Sequence, residues 1–475
     1  MMMDFYEMTM SYGYFRQTHG DVRVAFDLFF RSVPDKGGYA VFAGLEHVIE
    51  FVENLSFSDE DIDYFRAQNL FSEEFLSFLR GFRFRGDIYA VPEGTIIYPN
   101  EPLMTIVAPI IDAQLIETAI LAQINHQSLI ATKASRIVRA AEGRKVSDFG
   151  ARRAHNMDAA TYGARAAYIG GVDMTATVSA GQQFGIPISG TMAHSWVMFF
   201  EDEFTAFKKY AELYPQATVL LVDTYDVLHS GIPNAIRTAH EVLAPQGNRL
   251  AGVRIDSGDL AYLSKRVRTM LDDAGLTDCK IILSNSLDEF TISSLLLQGA
   301  QVDSFGVGER LITAKSDPVF GAVYKLVAVE KDGVFLPRIK MSENVEKLTN
   351  PGIKDLYRIY DRHGKAVADM LAMRGEEIDL TKPFRYVDPR KPWKNRFFEG
   401  FSAVNLRRLY VRSGKRVEQL PTLEEIRCYV QKQLAEEIWP EEQRFENPHR
   451  HYLDMTPMYY EVKMGLLDDM RGKHS

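Results

Sequence analysis

Apolar positions recur along this chain at two spacings, one helical and one strand-like, and the changes between them mark out its elements. Residues 4–17 (DFYEMTMSYGYFRQ) predict a helix with an aromatic-rich face, Val22 to Val33 alternates as a strand, and Gly37-Gly38 is a turn. Gly44 to Val52 returns to helical spacing. Ser58 to Asp61 fits a capping box, with Phe57 and Ile62 at the staple positions of a helix running to about Asn69; Ser72 caps another. After Gly81 the runs FRFRGDIYAV, GTIIYP and PLMTIVA read as strands, punctuated by Pro92, Gly94, Pro99 and Pro102. Ile111 to Ala141 reads as one long, mostly apolar helix ending at Gly143, and the domain crossing is expected within it.

From Lys145 the pattern changes to short apolar strands followed by helices, about six times. The predicted strands are Val146–Phe149, Ile186–Ile188, Val219–Val222, Leu250–Ile255, Lys280–Leu283 and Val302–Phe305. No self-similarity links the units, so the period belongs to the fold and not to a repeat protein. Strands and helices alternating at this spacing imply parallel strands, as an open sheet or a barrel. Beyond Tyr324 the pattern is strand-like again, with hairpin turns at Asp332-Gly333 and His363-Gly364. Residues 388–401 (DPRKPWKNRFFEGF) read as a basic, aromatic connection, and Thr422 to Glu425 matches a capping box for a terminal helix reaching Trp439-Pro440. Neither chain end looks self-sufficient, so the last third is expected to fold back onto the first. The expected division is 1–125 as an N-terminal α+β domain, 126–325 as the parallel-strand domain, and 326–475 as the returning segment.

Length agrees with more than one core, since 475 residues exceed one ordinary domain. The net charge of −9 argues against general binding to nucleic acid or an anionic membrane, so an anionic ligand would need a few local arginines. Cys279 and Cys428 lie too far apart in sequence for a Cys-x-x-Cys metal site, and two cysteines make no disulfide framework. The first thirty residues carry Asp4, Glu7, Arg16, Arg23 and Asp27, which leaves no signal-peptide core, and no run approaches 18 apolar residues. A cytoplasmic protein is expected.

Candidate chemistry gathers where the predicted strands end. The first is followed by Asp148-Phe149-Gly150-Ala151-Arg152-Arg153 and the second by Ser189 to Ser195, a turn holding Thr191 and His194. The third gives Asp223-Thr224-Tyr225-Asp226, the fourth Arg254 then Asp256-Ser257-Gly258-Asp259, the fifth Ser284-Asn285-Ser286, and the sixth Gly306-Val307-Gly308-Glu309-Arg310. A further polar insert, Gly170-Gly171-Val172-Asp173, separates the first two. Polar ends repeated on one side of a parallel array place carboxylates, arginines and glycines around one mouth, the layout of a site built from βα loops. Gly306, Gly308 and Ser257-Gly258 would leave backbone N–H groups for phosphate oxygens. Arg152 and Arg254 would meet a carboxylate or phosphate with a planar fork. Asp223, Asp256 and Asp259 would hold ribose hydroxyls or a magnesium ion. The chain has no Walker lysine loop, HExxH or nucleophile elbow.

In these motifs the chain resembles the nicotinate phosphoribosyltransferase family, from Asp4 to about Val329. The resemblance rests on DFYEMTM, SDFGARRAH at 147–155, GIPISGTMAHS at 185–195, VDTYD at 222–226, GVRIDSGDL at 252–260, SNSLDE at 284–289 and GVGERL at 306–311, followed by GAVYKLV. It implies an α/β fold, an irregular barrel of parallel strands beside a smaller α+β domain made from both chain ends. The implied reaction joins nicotinate and phosphoribosyl pyrophosphate into nicotinate mononucleotide and pyrophosphate, with coupled ATP hydrolysis and Mg2+, as a step of NAD biosynthesis or salvage. It also implies a homodimer with shared active sites. By motif position, His194 would be phosphorylated by ATP and Asp223 would hydrogen-bond it. Tyr6, from the partner subunit, and Phe149 would sandwich the pyridine ring. Arg254 and Thr191 would contact nicotinate, Arg152 the base or phosphate, and Asp256, Gly306 and Gly308 the sugar phosphate. No metal ligand is assigned. Glu309 departs from members with threonine after Gly-x-Gly, so it must point away from a bound phosphate or act through magnesium.

Three other readings remain open on the sequence, one of them a non-catalytic nucleotide-sensing protein that retains the fold, against which the intact His194 turn and Arg254 argue. A nicotinamide- or quinolinate-specific transferase would share these motifs, although the GTMAHS turn favours nicotinate. A phosphosugar aldolase or isomerase on a β/α barrel would need a Schiff-base lysine or an acid/base pair, and no strand end offers an obvious lysine.

Overall fold

The structure is a computed structural model that describes residues 2–18, 20–340, 348–379, 384–387, 393, 395–398 and 400–472. It separates into two units, one of Ile130–Pro318 and one of Met1–Leu129 with Val319–Ser475. The crossing falls inside the helix Glu117–Ala140, within the apolar stretch where it was expected. That stretch is not one helix. A separate turn of helix, Ile110–Gln114, precedes it, and the break at the fully buried Leu115 and Ile116 carries neither glycine nor proline.

In the Ile130–Pro318 unit six parallel strands form one sheet. Their order is Met174–Thr175, Lys145–Asp148, Ser304–Val307, Lys280–Ser284, Gly252–Ile255 and Val219–Leu221. The two outer strands do not pair with each other, so the sheet is a curled half-barrel and not a closed ring. One face of its inner strands is apolar and covered, with Val253, Ile255, Ile281, Leu283, Phe305 and Val307 showing no exposed surface, while the alternate positions include Arg254, Ser284 and Gly306.

The expected second strand is displaced. Met174–Thr175, just past the polar insert, holds the sheet edge, and the predicted strand Ile186–Ile188 contributes only a bridge between Ile188 and Thr175. Thr175 donates to the Pro187 carbonyl at 3.0 Å and accepts from the Ser189 N–H at 2.9 Å. Pro187 has no N–H to continue a ladder, which stops the strand there. The short pairing still delivers residues 189–195 to the same end of the sheet as the other strand ends.

The unit made from both chain ends is the larger of the two, not the smaller, because it carries three sheets of its own, of seven, six and two strands. The seven-stranded antiparallel sheet is centred on Arg23–Phe29, which pairs with Met104–Pro109 on one side and Val323–Lys331 on the other. That central strand is buried on both faces after Arg23 and so lacks the half-exposed character that alternation implied. Phe26 stacks on Tyr324 at 4.6 Å, fastening the returning chain to the first sheet. The second sheet holds the hairpin Lys354–Tyr360 and Ala366–Met373, turned at His363-Gly364 as predicted.

A fully buried ion pair binds the late segments of this unit to the early ones. Arg358 donates to both oxygens of Asp369 at 2.9 and 2.7 Å and to the Ile96 carbonyl at 2.8 Å. Tyr98 donates to Glu442 at 2.7 Å, and its ring stacks on that of His451 at 3.8 Å. The expected return of the last third onto the first is therefore present within one unit. Both predicted capping boxes form, Ser58 with Asp61 and Thr422 with Glu425. The basic, aromatic stretch 388–401 lies largely outside the described residues. Among the described residues, no helix is long and apolar enough to cross a membrane.

Candidate active site

Each strand of the half-barrel hands its polar residues to the same end, and four of those ends meet around the guanidinium of Arg254. Arg254 lies on Gly252–Ile255 with a side chain only 14% exposed. Its Nε donates to Ser284 Oγ at 2.9 Å and its Nη1 to Thr191 Oγ1 at 3.0 Å, while Nη2 sits 3.2 Å from Asp256 Oδ1. Ser284 in turn donates to the same Asp256 oxygen. The guanidinium also lies 5.3 Å from the centroid of the Phe149 ring, within cation–π range. Sequence reasoning named Arg254, Thr191, Asp256 and Phe149 separately, and the fold brings all four together.

Phe149 owes its position to two glycines and one buried carboxylate. A Cβ on Gly306 would come within 2.4 Å of the Phe149 ring, and one on Gly308 within 3.1 Å of its carbonyl oxygen. Gly306 and Gly308 are thus required here for close approach to Phe149, a constraint separate from any role toward phosphate. Asp148, without exposed surface, accepts from the Gly150 N–H and from Thr175 Oγ1, both at 2.8 Å. Burial raises its pKa, and those two hydrogen bonds offset part of the rise. The turn after Asp148 carries Arg152 on the single helical turn Ala151–Arg153, exposed and outside the hydrogen-bonded cluster.

His194 begins the short helix His194–Phe199 and is 41% exposed. Its Nδ1 is 3.1 Å from Thr224 Oγ1, and its Nε2 faces Asp223 Oδ1 at 4.0 Å and Asp256 Oδ2 at 3.9 Å. The hydrogen bond expected from Asp223 is therefore made by Thr224, and Asp223 stands at ion-pair distance. Asp223 instead accepts from Ser257 at 2.6 Å through Oδ2, leaving its Oδ1 buried without a hydrogen bond. Asp259 does not join the site, because its carboxylate caps the next helix by accepting from the Tyr262 N–H at 3.0 Å. Glu309 turns to Lys315 and Arg153, and the hydrogen bond from Lys315 holds its pKa below the usual range. Its charge is compensated locally.

Tyr6 belongs to the other unit, on the helix Phe5–Thr18, where it is 43% exposed. Burial of its hydroxyl and a hydrogen bond to Glu117 raise its pKa strongly, so the polar end is tied down while much of the ring stays uncovered.

Ser284 and Thr224 have a clear structural part and no expected role, and Ser257, expected to offer only its backbone N–H, uses its side chain toward Asp223. All stood in the strand-end motifs, but a hydroxyl acquires meaning only from the partner that the fold brings to it.

The chain matches family models described as the nicotinate phosphoribosyltransferase N-terminal domain over residues 1–125, the nicotinate phosphoribosyltransferase family over 144–347, and its C-terminal domain over 353–463. It is 45% identical over 473 residues to the nicotinate phosphoribosyltransferase of Bacillus subtilis, covering 99% of this chain and 95% of that one. The corresponding protein of Caenorhabditis elegans is 34% identical over 527 residues, with 97% and 92% covered. The crystal structure of human nicotinic acid phosphoribosyltransferase superposes with a TM-score of 0.86 at 28% identity, covering 98% of this chain and 100% of that one.

Proposed function

This chain belongs to the nicotinate phosphoribosyltransferase family, and from that activity we propose a division of labour among its residues. Nicotinate and phosphoribosyl pyrophosphate are joined at the strand ends to give nicotinate mononucleotide and pyrophosphate. The observation that carries the assignment is Arg254. It is a largely buried cation 5.3 Å from the centroid of the Phe149 ring, which sets a planar fork beside an aromatic face as recognition of an aromatic carboxylate requires. Phe149 stacks on the pyridine ring, and Arg254 with Thr191 holds its carboxylate. Arg152, exposed on the adjoining turn, meets the phosphates together with the N–H groups of the Gly306 to Gly308 turn. Asp256, between Arg254 and His194, faces the ribose carbon, where positive charge develops as pyrophosphate leaves. The pyridine nitrogen is already a nucleophile and requires no strong base.

Magnesium binds through a few carboxylates together with phosphate oxygens and water. Among the described residues no group of three His, Cys, Asp or Glu is arranged to hold a metal unaided. The buried Asp223 oxygen without a hydrogen bond, with Asp256 nearby, fits an ion that arrives with pyrophosphate. Asp223 and Asp256 are the residues that would hold it, and when bound it would neutralise charge on the leaving group.

His194 serves a second, ATP-dependent step as a phosphoryl acceptor. With Nε2 turned to two carboxylates, its proton is favoured on that nitrogen, which leaves the Nδ1 lone pair as the nucleophile beside Thr224. Incubating the protein with nicotinate and phosphoribosyl pyrophosphate, with and without ATP, tests both steps. Mononucleotide and pyrophosphate should appear in either case and faster with ATP. A preference for nicotinamide or quinolinate would overturn the base assignment, and indifference to ATP would overturn the coupling.

The working form is a cytoplasmic homodimer in which Tyr6 of a second chain covers the pyridine ring. Supporting this, Met157, Val178, Ile188, Met198, Phe199 and Tyr225 follow the strand ends and are all at least 60% exposed, so large apolar side chains at that end stand open to a second chain. A Tyr6→Ala chain mixed with a His194→Ala chain should regain part of the ATP-coupled activity that each lacks alone. Verified mixed dimers without recovered activity would overturn the shared site.

A further inference from the structure

Arg254 can hold a carboxylate only if its own neighbours leave part of its fork free, and one serine governs that. A guanidinium offers a side edge, formed by Nε and Nη2, and an end, formed by Nη1 and Nη2. Here the side edge is taken by Ser284 Oγ at 2.9 Å from Nε and by Asp256 Oδ1 at 3.2 Å from Nη2. Ser284 carries a single hydroxyl proton, and arginine can only donate to it. The proton therefore points to Asp256, which accepts it. Ser284 is thus wedged between the cation and the carboxylate and keeps Asp256 from closing on Arg254 as a two-pronged pair.

The backbone holds the wedge in place. Ser284, 2% exposed, ends the strand Lys280–Ser284, which runs parallel to Gly252–Ile255 with Ile282 opposite Arg254. Asn285 and Ser286 follow at φ 91° and 49°, two consecutive non-glycine residues in left-handed backbone. Such backbone is disfavoured for residues with a Cβ and persists only where surrounding contacts impose it.

We propose that Ser284 is a positioning residue for base recognition: by holding Asp256 to one oxygen contact, it leaves to the nicotinate carboxylate the Nη1 and Nη2 N–H groups that Thr191 and Asp256 do not take. The inference rests on Arg254 as the nicotinate anchor. Without the hydroxyl, Asp256 swings to the Nε–Nη2 edge, pulls the guanidinium toward itself and partly neutralises it.

The test is steady-state kinetics of Ser284→Ala, Ser284→Thr, Arg254→Ala and the double variant Ser284→Ala/Arg254→Ala, with nicotinate and phosphoribosyl pyrophosphate each varied. Ser284→Ala should raise KM for nicotinate about 10-fold, the loss of one charge-assisted hydrogen bond, with a smaller change in KM for phosphoribosyl pyrophosphate. Ser284→Thr, which keeps the hydroxyl, should restore most of the loss. In the Arg254→Ala background the serine change should cost little more, because the group it acts through is gone. An unchanged nicotinate KM in Ser284→Ala, equal rises for both substrates, or effects that multiply in the double variant would overturn the positioning role. Arg254→Ala leaving nicotinate KM unchanged is a separate result that would overturn the anchor reading itself.

Discussion

Arg254→Ala is expected to lower kcat/KM for nicotinate by about 10- to 100-fold or more, the loss of a charge-assisted hydrogen bond worth roughly 1.5–3 kcal/mol. Two features favour the upper end. The guanidinium is only 14% exposed, so its interaction with a carboxylate is weakly screened by water. Its removal also leaves the Asp256 carboxylate beside the incoming nicotinate with its arginine partner gone. Arg254→Lys should not rescue the variant, because an ammonium cannot reproduce a planar fork bonded to Ser284 and Thr191 at once. Nicotinamide has no carboxylate, so its use, where measurable, should change less. The measurement is kcat/KM for both bases in the same preparation, and equal losses would reject Arg254 as the carboxylate anchor.

How much of this arrangement the sequence carried depends on the range of each interaction. Signals that act within a few residues were readable: the capping boxes at Ser58 and Thr422, the hairpin at His363-Gly364, and the polar ends of the parallel strands. The strand ends were readable as one site because parallel strands must end on the same side. Edge pairing was not. Met174–Thr175 is two residues long beside a glycine-rich turn, and the more apolar Ile186–Ile188 was the natural choice until Pro187 is seen to interrupt its ladder. The helix break at Leu115 and Ile116 left no mark either, since both are good helix residues and tertiary packing decides the matter.

Within the site, charged residues were easier to single out than hydroxyls. Arg254, Asp256 and His194 draw attention wherever they stand in a loop. Thr224, Ser257 and Ser284 are ordinary turn residues until the fold sets them against a histidine, an aspartate and an arginine. Asp259 shows the converse: one oxygen of a carboxylate in a suggestive motif caps the helix that follows it. The glycines at 306 and 308 were read as a phosphate cradle, and the structure adds a requirement of its own, room for Phe149.

His194→Ala should abolish formation of phosphoenzyme and nicotinate-dependent ATP hydrolysis while leaving slow, ATP-independent synthesis of mononucleotide. The two chemistries are separable in the proposed scheme. In the proposed division of labour, base transfer draws on Arg254, Asp256 and the glycine turn, and none of these needs the imidazole as a nucleophile. Only the phosphoryl step does. In the wild-type protein a phosphoryl group on His194 Nδ1 would add negative charge to a ring whose Nε2 already faces Asp223 and Asp256, crowding anionic charge around one imidazole. Such crowding is relieved by a cation and by the arginines that also hold the substrate, so phosphorylation should tighten substrate binding. Moving a two-state site from mostly open to mostly closed takes about 5.5 kcal/mol of differential binding, a fitting use for a phosphoryl transfer. Mass spectrometry after brief exposure to ATP, under conditions that preserve phosphohistidine, locates the group. Finding it on another residue, with His194 unmodified, would overturn the coupling mechanism; finding it on His194 while His194→Ala keeps full ATP-stimulated synthesis would show that the phosphoenzyme is not on the productive path.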